Sequence, residues 1–284
     1  MAAAAAAAAL GSAALRMPPQ KPPIPEHPPH KTLNPSNYAA DQFPEKILRL
    51  EIVGVDSGKA LAQNPALHAA PLHSVDAVIS FLRSKGIHHK DLRKLVGMCP
   101  GVLTSSIPTD LEPVFGFLSG ELGVPEVGFR RVINKCPRLL GCSVERQLRP
   151  ALRYLRGLGV WGGAALAYRA PMLLAASVEG TLTPKVEYLR RLGLPAGAMV
   201  PRCPLLLTFS VERNLKPKFG YLRREMRRGA AEVGDFPQYF SFSLEGRIKP
   251  RHAEAARRRV GLPLNLLLTT TDEEFRRLMQ PAPP

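Results

Sequence analysis

The stretch that decides the fold is CPLLLTFSVERNLKP, residues 203–217. Pro204 and Pro217 stand thirteen residues apart, with a run of three leucines, a Ser-Val-Glu step and a fourth leucine between them. Two prolines this close usually punctuate a loop. The leucines and the Ser-Val-Glu step instead read as packed, capped structure. The segment then recurs. CPGVLTSSIPTDLEP (99–113), CPRLLGCSVERQLRP (136–150), APMLLAASVEGTLTP (170–184) and FPQYFSFSLEGRIKP (236–250) keep the same thirteen-residue interval, and the first prolines are spaced by 37, 34, 33 and 33 residues. We number these units 1 to 5 in chain order, so the opening stretch is unit 4. A weaker copy, shifted by one residue and lacking the second proline, runs over 64–87.

Further columns align. Ser106, Ser143, Ser177, Ser210 and Ser243 share one position, and Glu145, Glu179, Glu212 and Glu245 follow two residues later in four units. The serine reads as an N-cap, accepting a hydrogen bond from an orphan N–H of the next turn, and the glutamate favours the positive end of the helix dipole. The first helix is expected to run through the second proline with a regular kink or a break there, then end at Leu-Gly. A second helix follows, with Pro125 as a first-turn residue, shortening in later units. The Pro-Leu-Leu piece is expected to be a 3-10 turn. Thr271 and Glu274 have the spacing of a capping box for a terminal helix. The fold class is therefore an all-α solenoid of either hand, built of 33–37-residue repeats with two helices and a short 3-10 turn-helix each.

Composition agrees. Leu, Ala and Arg dominate and aromatics are 6%, which favours helix over sheet. The formal charge is +16; residues 65–284 hold 33 Lys/Arg against 18 Asp/Glu, a net +15, so the basic excess belongs to the repeats. Such a field suits a polyanion. Before Glu26 there is no acidic residue, and the alanine-rich run ends near Arg16. This predicts an organelle transit peptide over residues 1–17, too short and too weakly apolar to span a bilayer. A Pro-rich spacer and variable segment occupies 18–63, with seven prolines in 18–29, and the repeats occupy 64–280.

The pattern CPxLLxxSVExxLxPxxxYLRxLG, registered five times, resembles the mitochondrial transcription termination factor (mTERF) family over about residues 64–280. The resemblance implies an α-solenoid curved into a half-ring whose basic concave face grips double-stranded DNA or structured RNA. It also implies a role in organellar transcription termination, other steps of gene expression or ribosome assembly. The leader resembles that of a land-plant member, chloroplast first and mitochondrion as the alternative. Unit 5 departs from the pattern by lacking the Tyr-Leu pair after Pro250, and the second helix between Met226 and Phe236 is eroded.

Basic residues recur at fixed phases around the second proline. Arg149, Lys216 and Lys249 precede it; Lys185, Lys218 and Arg251 follow it; Arg156, Arg190 and Arg223 lie six residues on, and Arg191, Arg224 and Arg257 seven. One cation per unit at a fixed phase makes a stripe able to track a phosphate backbone, giving affinity and register rather than sequence readout. Taken singly, each reads as a solvated helix-face residue; taken as a set, they read as a binding stripe. Tyr154, Tyr188 and Tyr221 share the phase of the packed leucines, which favours core over base stacking. Cys99, Cys136 and Cys203 occupy one column that unit 3 fills with Ala170, which reads as a small buried site, and no C-x-x-C spacing points to zinc. A Cys136–Cys142 disulfide does not suit a reducing compartment. GVDSGKA (54–60) has three residues between its glycines and Ala60 after the lysine, so it is not a phosphate loop. No nucleophile–base pairing, cofactor or metal is expected, and no enzyme. The chain reads as a monomer without membrane association. The alternative function is a protein-interaction scaffold within organelle gene-expression complexes.

Overall fold

The first proline ends one helix and starts another. In a computed structural model describing residues 43–280, Cys203 adopts φ −141° and ψ 74°, outside the helical region that a residue before proline avoids. Its N–H still closes the preceding helix onto Met199 O at 2.9 Å, while its carbonyl opens a 3-10 turn by accepting from Leu206 at 3.0 Å. The same hinge occurs at Asn64, Cys99, Cys136, Ala170 and Phe236, with φ between −127° and −142° and ψ between 54° and 82°. The shifted copy at 64 therefore keeps the joint. The 3-10 turns Pro100–Thr104, Pro137–Gly141, Pro171–Leu173, Pro204–Thr208 and Pro237–Ser241 pack on one another in series. Their inward pairs, Leu139 and Leu140 or Leu206 and Leu207, are at most 1% exposed. Each such leucine contributes about 2 kcal/mol of burial.

The second proline neither breaks nor simply kinks its helix. Five residues ending two positions before it wind as a π-helical turn in every unit: Ile107–Leu111, Val144–Leu148, Val178–Leu182, Val211–Leu215 and Leu244–Ile248. There the N–H of Leu148 donates to Ser143 O at 3.1 Å, five residues back, and those of Leu215 and Ile248 do the same. An α-helix follows, with the proline in its first turn: Arg149–Gly157, Thr183–Arg191, Lys216–Arg224 and Lys249–Arg257 in units 2 to 5. In unit 1 the α-helical part is Glu112–Gly116, followed by a further π turn over Phe117–Glu121. A proline ring inside an α-helix collides with the carbonyl four residues back. The extra residue per π turn moves that carbonyl aside, so the helix passes through the proline without interruption.

The serine caps hold in four units. Ser143, Ser177, Ser210 and Ser243 accept from the N–H three residues on, at 2.9–3.2 Å. Ser106 does not; its own N–H donates to Asp110 Oδ2 at 2.8 Å instead, because unit 1 carries an aspartate in the turn. Pro125 lies one residue earlier than expected, as the N-cap of Glu126–Lys135. The remaining second helices are Gly163–Arg169, Ala196–Arg202, the short Ala230–Asp235, and Leu264–Thr269. Thr271 and Glu274 form the full capping box of Asp272–Leu278. Upstream of residue 64, helices Phe43–Ile52 and Ser57–Gln63 already pack onto Leu72–Ser84 and His89–Met98. The transit-peptide segment and most of the Pro-rich spacer lie outside the described residues.

First helices end at a left-handed residue, a glycine in units 1 to 3 and Arg227 and Arg259 in units 4 and 5. Gly159 has φ 88°, and the N–H of Val160 reaches back to Leu155 O at 3.0 Å, the hydrogen bond of a Schellman ending. A Cβ on Gly159 would lie 2.9 Å from Pro201 Cγ, a ring that cannot rotate away. Gly159→Ala is therefore expected to cost about 2–3 kcal/mol, read as a lowered midpoint in chemical denaturation.

Candidate nucleic-acid interface

The recurrent basic positions separate into three structural classes. The column just after the second proline points between units. Lys218 is 7% exposed, and its Nζ donates to Phe240 O at 2.6 Å, at the end of the next unit's 3-10 turn. Lys185 does the same to Leu207 O at 2.7 Å. Arg251, 5% exposed, donates to Leu267 O at 2.9 Å and to Thr270 Oγ1 at 3.1 Å, and pairs with Asp272 at 2.5 Å. Lys46 makes an equivalent clasp on Leu67 O and His68 O, at 2.9 and 3.1 Å. Desolvation holds the pKa values of Lys46, Lys185 and Lys218 below the ordinary lysine value. In units 1 and 2 this column is Val114 and Ala151, both buried. These cations satisfy carbonyls of the neighbouring unit, and Lys218 and Arg251 in particular are almost wholly buried.

The column before the proline is neutralised locally. Lys216 pairs with Glu212 at 2.9 Å and Lys249 with Glu245 at 2.6 Å, each one helical turn apart. Arg149 bridges Glu121, at 2.6 Å, and Glu145. Those hydrogen bonds, to Glu121 first, raise the arginine's pKa further. Arg156 donates to Glu121 O at 3.1 Å, tying unit 2 to unit 1.

The positions six and seven residues on differ. Arg190 and Arg191 end the first helix of unit 3, and Arg224 ends that of unit 4. All three are exposed and form no hydrogen bond or ion pair among the described residues. Helix C-termini stabilise cations there through the dipole while leaving the guanidinium donors open. Arg223 is exposed and reaches Arg228 O at 3.2 Å; Arg257 is exposed and pairs with Glu254. Of the twelve positions, Arg190, Arg191 and Arg224 alone are exposed with no side-chain hydrogen bond or ion pair among the described residues.

Arg146 and Arg213, in the π turns, are also exposed with free side chains. The proline-based columns do not reach them; their signal is the absence of a carboxylate three or four residues away. Arg146 lines two grooves, of about 680 Å³ between units 1 and 2 and about 550 Å³ between units 2 and 3. The first also presents Asp110, Glu121 and Glu145, and the second Glu179. That face is of mixed charge and suits a polyanion less than the helix C-termini do. Basic residues of the second helices close carbonyls as well. Lys135 donates to Tyr168 O and Arg169 O at 2.9 and 2.7 Å, and Arg202 to Asp235 O at 3.0 Å.

Other chemistry finds little footing. Tyr154, Tyr188 and Tyr221 are half-buried against the core, and Tyr221 shares a 2.9 Å hydrogen bond with His252 Nδ1. All four cysteines are free. Burial pushes their thiols up, Cys142 to about 11, the opposite of a reactive thiolate. Among the described residues no group of three or more His, Cys, Asp or Glu side chains could hold a metal, and no helix is long and apolar enough to cross a membrane. In comparison with protein families, the mTERF model matches this chain twice, over residues 58–191 and 164–276.

Proposed function

The chain belongs to the mTERF family, and from that premise we propose that it binds double-stranded DNA or structured RNA and regulates organellar gene expression. The observation that carries this reading is the exposed arginine set at the first-helix ends of units 3 and 4. Units repeat every 33 residues there, so equivalent charges recur at the pitch of the array and can follow successive phosphates. Arg223 and Arg257 extend the set at the cost of a local contact. The family's basic concave face would be this surface, and the Lys185, Lys218 and Arg251 column would support it from inside. The net +15 of residues 65–284 supports electrostatic attraction of any polyanion. The alanine-rich, acid-free leader supports import into an organelle, the chloroplast before the mitochondrion.

Affinity for a random-sequence duplex and for a structured RNA is expected to fall steeply with salt. Three neutralised phosphates correspond to roughly a 40-fold loss on a duplex between 50 and 200 mM salt. A flat response in fluorescence anisotropy with the purified chain would leave the scaffold reading in its place. Sequencing nucleic acid crosslinked to the protein in its organelle would identify the target class.

A further inference from the structure

Trp161 is the one tryptophan of the chain and is 74% exposed. It stands two residues after the left-handed Gly159, in the column that other units fill with Pro125 and Pro195. A second column breaks nearby. Met172 and Leu205, each following the first proline of its unit, are 40% and 38% exposed, where units 1, 2 and 5 carry Gly101, Arg138 and Gln238. Large apolar side chains are exposed at several places, among them Ile52, Met98, Val127 and Leu266; Trp161, Met172 and Leu205 are those around units 2 to 4.

That region contains a groove. The second helix of unit 1 packs closely on that of unit 2, and unit 3's on unit 4's, but those of units 2 and 3 are less tightly joined. Between them lies a groove of about 330 Å³, floored by Val160, Leu166 and Leu205 and edged by Trp161, Arg169 and Arg202. Its lining holds no carboxylate. Arg202 spends its donors on backbone carbonyls, including Asp235 O at 3.0 Å, which are neutral and leave its charge in place. Arg169 is exposed, and its side chain has no hydrogen bond or ion pair among the described residues.

We propose that this groove docks an acidic amphipathic segment of a partner protein, which seats an aromatic or aliphatic side chain against Trp161 and Leu205 and a carboxylate against Arg169. An apolar floor with a positive rim and no negative one complements such a segment. A nucleic acid fits it less well, since one guanidinium with open donors offers little hold on a phosphate backbone. The groove's lining includes none of the arginines at the first-helix ends, so the two surfaces use different side chains.

The test selects peptides from a displayed random library against the full chain and follows Trp161 emission on adding each. Enriched peptides are expected to combine carboxylates with a Trp, Phe or Leu anchor and to shift the emission saturably to shorter wavelength. Binding is expected to weaken about tenfold or more in Arg169→Glu and in Leu205→Ser, both at exposed positions, with circular-dichroism melting and nucleic-acid affinity unchanged. Enrichment of net-basic peptides, equal enrichment on the two variants, or no saturable emission shift would overturn the proposal. So would a shift produced by a twelve-residue oligothymidylate and not by the peptides, which would give the groove to a nucleobase.

Discussion

Converting Arg190, Arg191 and Arg224 together to glutamate is expected to reduce nucleic-acid affinity about 100-fold or more while leaving the fold intact. Each replacement removes a phosphate contact and adds a repulsive charge at the same place, and counterion release compounds the losses. Stability is expected to fall by only about 0.5–1 kcal/mol per site, from the glutamate's unfavourable place at a helix C-terminus, because the three side chains are exposed and have no hydrogen-bond or ion-pair partner to lose. Lys216→Glu and Lys249→Glu provide the internal comparison. Those lysines already sit against Glu212 and Glu245, so their reversal is expected to cost binding much less per charge. Fluorescence anisotropy and thermal melting on the same preparations separate the two effects.

Lys218→Ala is expected to give the opposite signature. The substitution removes a buried four-carbon stem and strands Phe240 O, whose 2.6 Å partner is the lysine ammonium. Tyr239, fully buried, donates its hydroxyl back to Lys218 O at 2.9 Å, so the clasp is reciprocal. Lost packing and an unsatisfied buried carbonyl together are worth about 3 kcal/mol. In a repeat array this loss falls mainly on one interface. Unit 5 is therefore expected to exchange its amide hydrogens faster, while units 1 and 2 keep their protection. Nucleic-acid affinity of the folded fraction at low temperature is expected to change little. If Lys218→Ala lost binding as strongly as the triple reversal with unit 5 still protected, the lysine would belong to the interface.

Much of this was legible in the sequence, and the misses have definite physical causes. The joint at the first proline, the 3-10 turn and the serine caps follow from local sterics and from donors close in the chain, so five copies were enough to read them. The π turn was not legible. It resolves a conflict between a helix that must continue, because Leu148, Leu215 and Ile248 are needed in the core, and a proline that forbids α geometry. Sequence shows the conflict but not which way the backbone yields. Phase around the proline found the basic columns but could not sort them by direction. Two cues were present all the same. Val114 and Ala151 mark the column of Lys185, Lys218 and Arg251 as inward-facing, and the Glu-x-x-x-Lys/Arg spacing of Glu145 to Arg149, Glu212 to Lys216 and Glu245 to Lys249 announces ion pairs. The charges left after those two subtractions include the ones we assign to the interface.

The most direct measurement is the salt dependence of duplex binding for the wild-type chain beside Arg190→Gln, Arg191→Gln and Arg224→Gln combined, which deletes contacts without adding repulsion. If each arginine neutralises one phosphate, the slope of log affinity against log salt becomes shallower by about 2.7 in the triple variant. An unchanged slope, with whatever affinity, would mean that these arginines touch no phosphate and that the binding surface lies elsewhere on the repeats.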